Sequence, residues 1–331
     1  MRTYGKAVAL CVLFMVFASP LRAAEAVHNV ALSIFEAPSD HITLWVKSLK
    51  QHPAVTSGMV KITVFQGNGD YVAQDAVTDV IASRKTDAAI IIANDVDMGA
   101  RFVTKLNDAG IPVMAAGVHV GAGDVLGYIG PDDVAAGYLT AKAVFDAMGG
   151  AGGVVVLRGP DMSPVTAARN QGIEEALREY PGIHVVDSGS ANWWQMDAYN
   201  QMQIWLSRYP DRIEGVVAQN DDMALGALRA LQTERALPIP VAGIDGIPEA
   251  VEAVEKGEML QTLFQDPVLE AQGTLDMILA HLRGDGYTYM SESWKKYPEV
   301  RARSRDGFSL LVPWKEISAA ETASADTVAL W

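Results

Sequence analysis

From His28 onward, short β-branched and apolar runs alternate with longer windows in which apolar residues recur every three or four positions. The runs that predict strands are 29–34, 60–65, 88–92, 112–115, 126–129, 154–157, 184–186, 216–218, 241–244 and 260–264. The windows that predict helices lie between most of them, at 41–51, 72–83, 98–109, 134–148, 164–180, 195–209, 223–233, 248–256 and 269–283. Strands alternating with helices of about 10 to 15 residues build βαβ units, so the fold class is α/β with parallel sheets and right-handed crossovers.

Two breaks divide the series. At Gly130-Pro131-Asp132-Asp133 a strand ends without its own sheet-crossing helix, and the Gly149-Gly150-Ala151-Gly152-Gly153 linker opens a second βα series. At Gln265-Asp266-Pro267 that series breaks in turn, and the helix after it is expected to return to the first unit. The expected organisation is an N-terminal lobe of residues 25–131 plus 266–295, a C-terminal lobe of 132–265 plus 296–316, and a tail of 317–331. Two Rossmann-like parallel-sheet lobes joined by more than one crossing form a hinge, with a ligand held in the cleft between them.

Residues 1–24 stand apart. Arg2 and Lys6 precede an apolar run, and Ser19-Pro20-Leu21-Arg22-Ala23-Ala24 follows it, the order of a secretory signal peptide cleaved near Ala24. The apolar run is shorter than the roughly 20 residues of a membrane span. Loss of Arg2, Lys6 and Arg22 takes the formal net charge from −14 to −17, an acidity that excludes nucleic acid and anionic lipid as partners. The one cysteine, Cys11, lies in the leader, so the expected mature chain has neither thiol nor disulfide. A core of about 300 residues replaces such staples in a periplasmic monomer.

The sequence contains no Gly-x-Ser-x-Gly, His-Glu-x-x-His or Walker-type motif and no His/carboxylate cluster, so no enzyme, cofactor or metal is expected. The polar residues that stand out follow strands. Asn220, Asp245 and Gln265 each come just after a predicted strand of the second lobe, and in a parallel sheet such ends share one edge, where ligands bind. Amide, carboxylate and amide together suit neutral ligands rich in hydroxyls. An Asn or Asp at such a place also caps the following helix, as Asp221 or Asp222 is expected to do. Three in series favour a binding edge. Trp193, in a Trp193-Trp194 pair, and Phe35 are candidate platforms for the C–H faces of a sugar, with core packing as the competing role. Asn94, Asp40, His119 and the group Arg169-Asn170-Gln171-Gly172 complete the candidates, although the glycine-rich loop around His119 also suits simple exposure.

The stretches Ala218-Gln219-Asn220-Asp221-Asp222-Met223-Ala224-Leu225-Gly226-Ala227, Val241 to Pro248 and Lys256-Gly257 to Gln265-Asp266-Pro267 closely resemble the periplasmic ribose-type sugar-binding proteins of ABC transporters. The resemblance runs over about residues 28–290. It implies a type I periplasmic binding protein fold with a three-segment hinge that closes on ligand. It also implies that Asn220, Asp245 and Gln265 hydrogen-bond a sugar, with Gln265 at a hinge crossing, and that Trp193 packs on the sugar. Related hexose binders use an arginine in the place of Arg169, whereas Gln171 stands where the ribose-type proteins have a sugar-contacting arginine. The first lobe departs. Glu36-Ala37-Pro38-Ser39-Asp40-His41 replaces a loop with an aromatic pair, and Gly117-Val118 replaces an Asp-Arg pair. Loss of that charged pair points away from ribose, to another monosaccharide, a polyol or a small modified sugar. The fold also serves lac-repressor-like regulators, but a leader stands where their DNA-binding segment would be. The expected role is capture of such a ligand for an ABC transporter permease. The alternative is a sensory subunit for a histidine kinase or chemoreceptor, suggested by the altered first lobe and by Lys295, Lys296, Arg301, Arg303 and Arg305 on the segment 287–307.

Overall fold

A computed structural model describes residues 27–35, 40–121, 123–234, 238–298 and 310–319. The leader, Arg301, Arg303, Arg305 and most of the expected tail lie outside the described residues. The first series runs β1 (His28–Ile34), α1 (Asp40–Lys50), α2 (Pro53–Thr56), β2 (Val60–Gln66), α3 (Tyr71–Ala82), β3 (Ala88–Ile92), α4 (Val96–Asp108), β4 (Val113–Ala116) and β5 (Val125–Pro131). The second runs α5 (Asp133–Ala147), β6 (Ala151–Arg158), α6 (Pro164–Glu179), β7 (Gly182–Ser190), α7 (Gln195–Arg208), β8 (Gly215–Ala218), α8 (Asp221–Thr233), β9 (Val241–Asp245), α9 (Pro248–Glu255) and β10 (Gln261–Phe264). After these come α10 (Pro267–Arg283), α11 (Ser293–Lys296), β11 (Leu310–Val312) and β12 (Lys315–Ser318).

Two sheets result, in the orders β11-β5-β4-β3-β1-β2 and β12-β10-β9-β8-β6-β7. Helices cover both faces, which is why β3, Ala-Ala-Ile-Ile-Ile, is buried at every position and shows no alternation. Among the described residues only β12 runs antiparallel to its neighbour. The order reverses between β1 and β3 in one sheet and between β6 and β8 in the other, and beside such a reversal strand ends leave a crevice.

The ten expected strands are present, and their ends differ most at β6 and β7. β6 already begins at Ala151, inside the expected glycine linker, and β7 extends to Ser190. The third crossing differs more. β11 pairs with β5 through Leu310↔Ile129 and Val312↔Pro131, so 310–312 complete the first sheet, whereas 296–316 had been expected in the second lobe. The chain crosses at 313–314, and Ile317 and Ser318 pair with Thr262 and Gln261 instead of starting a tail. Both strands lie beyond the expected strand–helix alternation, which ends at 283 and which elsewhere exposes strands as short as β4, β8 and β10.

α10 returns to the first lobe, as expected, because Leu269, Leu275, Ile278 and Leu279 pack with Leu32 and Ile34 of β1 and with Trp45 and Leu49 of α1. Asp276 on the same helix ties down the segment after it. Its carboxylate accepts Tyr287 Oη–H, the Met290 and Ser291 amides and the Trp294 indole N–H at 2.7 Å, with His52 Nε2 at 3.3 Å. Burial alone would raise this carboxyl, but the bonds from His52, Tyr287 and Met290 hold it below the usual range. Trp294 is thus core, and Lys296 pairs with Asp266 at 3.0 Å. Lys295 pairs with Glu292 at the surface.

In the second lobe α5 and α6 pack at very short range. A Cβ on Gly137 would lie 1.9 Å from the carbonyl oxygen of Arg169, so only glycine lets α6 approach this closely and sets the height of Arg169. Gly137→Ala is expected to cost about 1 to 3 kcal/mol through overpacking, read as a lower urea midpoint at an unchanged m-value.

Candidate functional site

Arg169 is the centre of the second lobe's strand-end edge. Buried residues recur at Thr166, Arg169, Ile173 and Ala176, so α6 turns this arginine inward with its apolar face. It is 5% exposed. Nε donates to Asp133 Oδ1 at 2.9 Å, Nη1 donates to the Gln219 carbonyl, and Nη2 stands 3.7 Å from Asp245 Oδ1. The guanidinium carbon lies 5.7 Å from the Trp193 ring and 5.8 Å from the Trp314 ring. A desolvated cation needs such compensation, and a planar guanidinium can take carboxylates at its rim and aromatic faces at its sides. Five segments therefore meet at one side chain: the start of α5, the ends of β8 and β9, the loop after β7 and the third crossing.

Trp193 is held in a strained backbone, with φ +68 after Asn192 at φ +53. Its ring lies against Gly159, where a Cβ would come within 2.1 Å of the indole. Gln219 secures the loops beneath, taking Gly159 N–H at 3.1 Å on Oε1 and donating Nε2 to the Thr166 carbonyl at 3.2 Å.

Asn220 proves to be the cap of α8. Its Oδ1 accepts Met223 N–H at 3.0 Å and its Nδ2 donates to the Trp193 carbonyl at 3.3 Å. The cap had been expected at Asp221 or Asp222. Asp221 instead turns inward, accepting the Thr262 hydroxyl at 2.7 Å and Ile247 N–H at 3.0 Å, and so joins the ends of β8, β9 and β10. Burial pushes its carboxyl up to about 7, against the pull of the Thr262 and backbone bonds. Capping leaves Asn220 one amide hydrogen and one lone pair for another partner.

Asp245 is the least satisfied of the group. It ends β9 at φ +122, and among the described residues its one close polar partner is Arg169, at 3.7 Å, beyond hydrogen-bond range. Burial raises its carboxyl well above the usual range, Arg169 opposes this, and Asp221, Asp222 and Asp133 add to it. Gln265 follows β10 next to Asp245, since Phe264 is the register partner of Asp245, and its Nε2 donates to Glu270 Oε1 at 2.6 Å.

The first lobe supplies a different set. His119 stacks on Tyr128 with ring centroids 3.6 Å apart, and the Tyr128 hydroxyl donates to the Gly117 carbonyl. Burial lowers the His119 imidazole while Asp133 pulls it up, and burial with Arg169 lowers His41 to about 4. Both histidines thus feel charges of the second lobe and stay neutral. Phe35 is buried beneath the half-buried Tyr71, centroids 4.3 Å apart, so the ring nearer solvent at that place is the tyrosine. Asn94 is half-buried between β3 and α4, and Asp40 is the first residue of α1. Gln171 does not join the others. Two residues beyond Arg169, it lies about 200° further round the helix. There it is exposed and bonds Glu175 at 3.0 Å.

Asp133, Trp314, His41, Tyr128 and Glu270 were not among the expected site residues. Asp133 carried a signal, as the second acid of Asp132-Asp133, but that doublet reads as a helix start. Among the described residues no group of His, Cys, Asp or Glu is arranged to hold a metal ion, and no helix is long and apolar enough to cross a membrane. A surface cavity of about 420 Å³ beside α1, lined by residues such as Val46, Lys47 and Gln66, shares none of these side chains.

The family model described as "Periplasmic binding protein domain" matches residues 30–286. The chain belongs to the periplasmic binding protein family. Members of this family bind solutes and are not enzymes. Relatives include the xylitol-binding protein of Mycolicibacterium smegmatis, 35% identical over 218 residues, which are 66% of this chain and 62% of that protein. The ribose import binding protein of Escherichia coli is 33% identical over 184 residues, 56% of this chain and 62% of that protein. The chain thus spans about 62% of the length of these two relatives. A solute-binding protein of Bacillus halodurans with bound myo-inositol superimposes with a TM-score of 0.77 at 24% identity, covering 90% of this chain and 96% of that one. That likeness shows the two-lobed α/β fold.

The state of Asp245 has a measurable sign. A carboxyl raised in the folded state stabilises fully below its unfolded pKa, and that contribution is lost as pH rises through the folded value. Asp245→Asn, which keeps the backbone strain and removes the charge, is expected to raise the melting temperature of the ligand-free protein by a few degrees at pH 8 and not at pH 4, by calorimetry.

Proposed function

We propose that the protein is a periplasmic solute receptor that captures a monosaccharide, a polyol or a similar small hydroxylated ligand between its lobes and delivers it to an ABC transporter permease. The observation that carries this reading is the convergence of Arg169, Trp193, Asn220, Asp245 and Gln265 at adjoining strand ends, with Asp245 strained and short of a hydrogen-bond donor. A ligand hydroxyl supplies that donor, and the Trp193 face takes the carbon side of the ligand. From the first lobe the proposed site takes His119, which feels the charge of Asp133, with Asn94 after β3 and Asp40 at the start of α1. Phe35 serves as the support of Tyr71, and Gln171 is left out.

The names of the relatives support the ligand class, since xylitol and ribose differ in ring closure but share vicinal hydroxyls. Contacts from both lobes favour the closed state, and a permease that reads closure distinguishes loaded from empty receptor. Export through the leader at 1–24 places the protein in the periplasm.

A thermal-shift panel of xylitol, D-ribose, D-allose and myo-inositol, followed by calorimetry, tests the reading. At least one member is expected to raise the melting temperature by mass action. Asp245→Ala should weaken its binding about 10- to 150-fold, the equivalent of about 1.5 to 3 kcal/mol for a bond to a charged acceptor. A panel with no shift, or binding untouched by Asp245→Ala, would overturn the site.

A further inference from the structure

Glu270 lies in the first turn of α10, where the chain re-enters the first lobe, and is 1% exposed. Its Oε1 accepts the Gln265 amide at 2.6 Å, while its Oε2 is buried without a hydrogen-bond partner. A carboxylic acid is an unusual choice for such a place, because removing it from water costs several kcal/mol unless it is neutral or paired. Burial makes neutrality the favoured state, and Asp133 of α5 and Asp266 of the crossing add to it, whereas the nearby Trp45 indole of α1 and the Gln265 amide favour the ionised form. Asp266 is itself occupied by Lys296, Tyr297 and the amides of α10. Burial and these acids push the Glu270 carboxyl up to about 8, against the bond from Gln265.

An amide has two distinguishable ends, and its neighbours decide which way they point. With the proton on the unpartnered Oε2, Oε1 is left to accept, so Nε2 of Gln265 turns toward α10. Gln265 Oε1 then points the other way; it receives no donor among the described residues and is not sealed from solvent. On the adjoining strand end stands Asp245, which when ionised, the form Arg169 favours, accepts through both oxygens.

We propose that Glu270 is a positioning residue that sets ligand specificity: it holds the Gln265 amide with its oxygen facing the cleft, so that Gln265 and Asp245 form a pair of neighbouring acceptors. Such a pair takes two donors, as vicinal hydroxyls or an ammonium beside a hydroxyl present them. It turns away a carboxylate or a carbonyl oxygen. The inference rests on the reading of Gln265 and Asp245 as ligand contacts, but the orientation of Gln265 is measurable without ligand.

The experiment compares the full mature chain with Glu270→Met and Glu270→Gln. In ligand-free protein, the Gln265 side-chain amide signals, assigned by their loss in Gln265→Glu, are expected to exchange slowly and to titrate with a midpoint near 8. Glu270→Met should abolish both properties. Glu270→Gln, nearly isosteric and able to accept the same bond, should restore slow exchange without the titration. Calorimetry with xylitol and xylonate should show a preference for xylitol that falls about tenfold in Glu270→Met and returns in Glu270→Gln, as expected for one reoriented hydrogen bond. Gln265 signals that ignore both pH and Glu270→Met would overturn the proposal, as would a preference that Glu270→Met leaves unchanged. Absence of xylitol binding in the unaltered chain would count against xylitol as ligand, while the amide signals would still decide the role of Glu270.

Discussion

The second lobe depends on a single buried cation. Arg169 holds a full charge at 5% exposure, which water no longer stabilises, so carboxylate, carbonyl and two indole faces must be brought to it from five segments. Those segments include two of the three crossings between the lobes. Asp132 caps α5 through the Ala135 amide, and its carbonyl accepts the Trp314 indole N–H at 2.7 Å, so the first and third crossings are bonded to each other beside the arginine. The geometry of the crossings and that of the proposed binding edge share one set of contacts.

What this arrangement offers a ligand is set by its imbalance. Asp133, Asp221, Asp245 and Glu270 all have carboxyls raised by burial, and Arg169 serves two of them. A region organised only for stability would pair these acids or replace them with apolar side chains. Strain is added to this cost at Trp193 and Asp245, both at positive φ. Unmet bonding and strain at one sheet edge are what the proposed binding site would draw on.

Much of the fold was legible because its signals are long. Ten strands and nine helical windows follow from periodicity, and the first two crossings follow from Gly-Pro-Asp-Asp and Gln-Asp-Pro. β11 and β12 were not legible, since they lie beyond the alternation of strands and helices and their place is decided by pairing with β5 and β10. The site was half legible. Asn220, Asp245 and Gln265 announced themselves by following strands, although whether an asparagine caps, binds or does both cannot be read from its position. Gln171 went astray because proximity in sequence to Arg169 ignores the 100° each helical residue turns. Trp45, Trp314 and Glu270 were hidden because their role arises from elements that meet only in the folded chain.

The late position of β11 and β12 shapes how the molecule is assembled. The first sheet begins at His28 and is completed at Val312, and the second is completed by Ser318, so each lobe needs a strand from the far end of the chain. Contacts of such sequence separation carry a large loop-closure cost and slow the final step of folding. As the chain emerges from synthesis, the β5 edge of the first sheet and the β10 edge of the second stay unpaired until 310–318 are available, and both then close together.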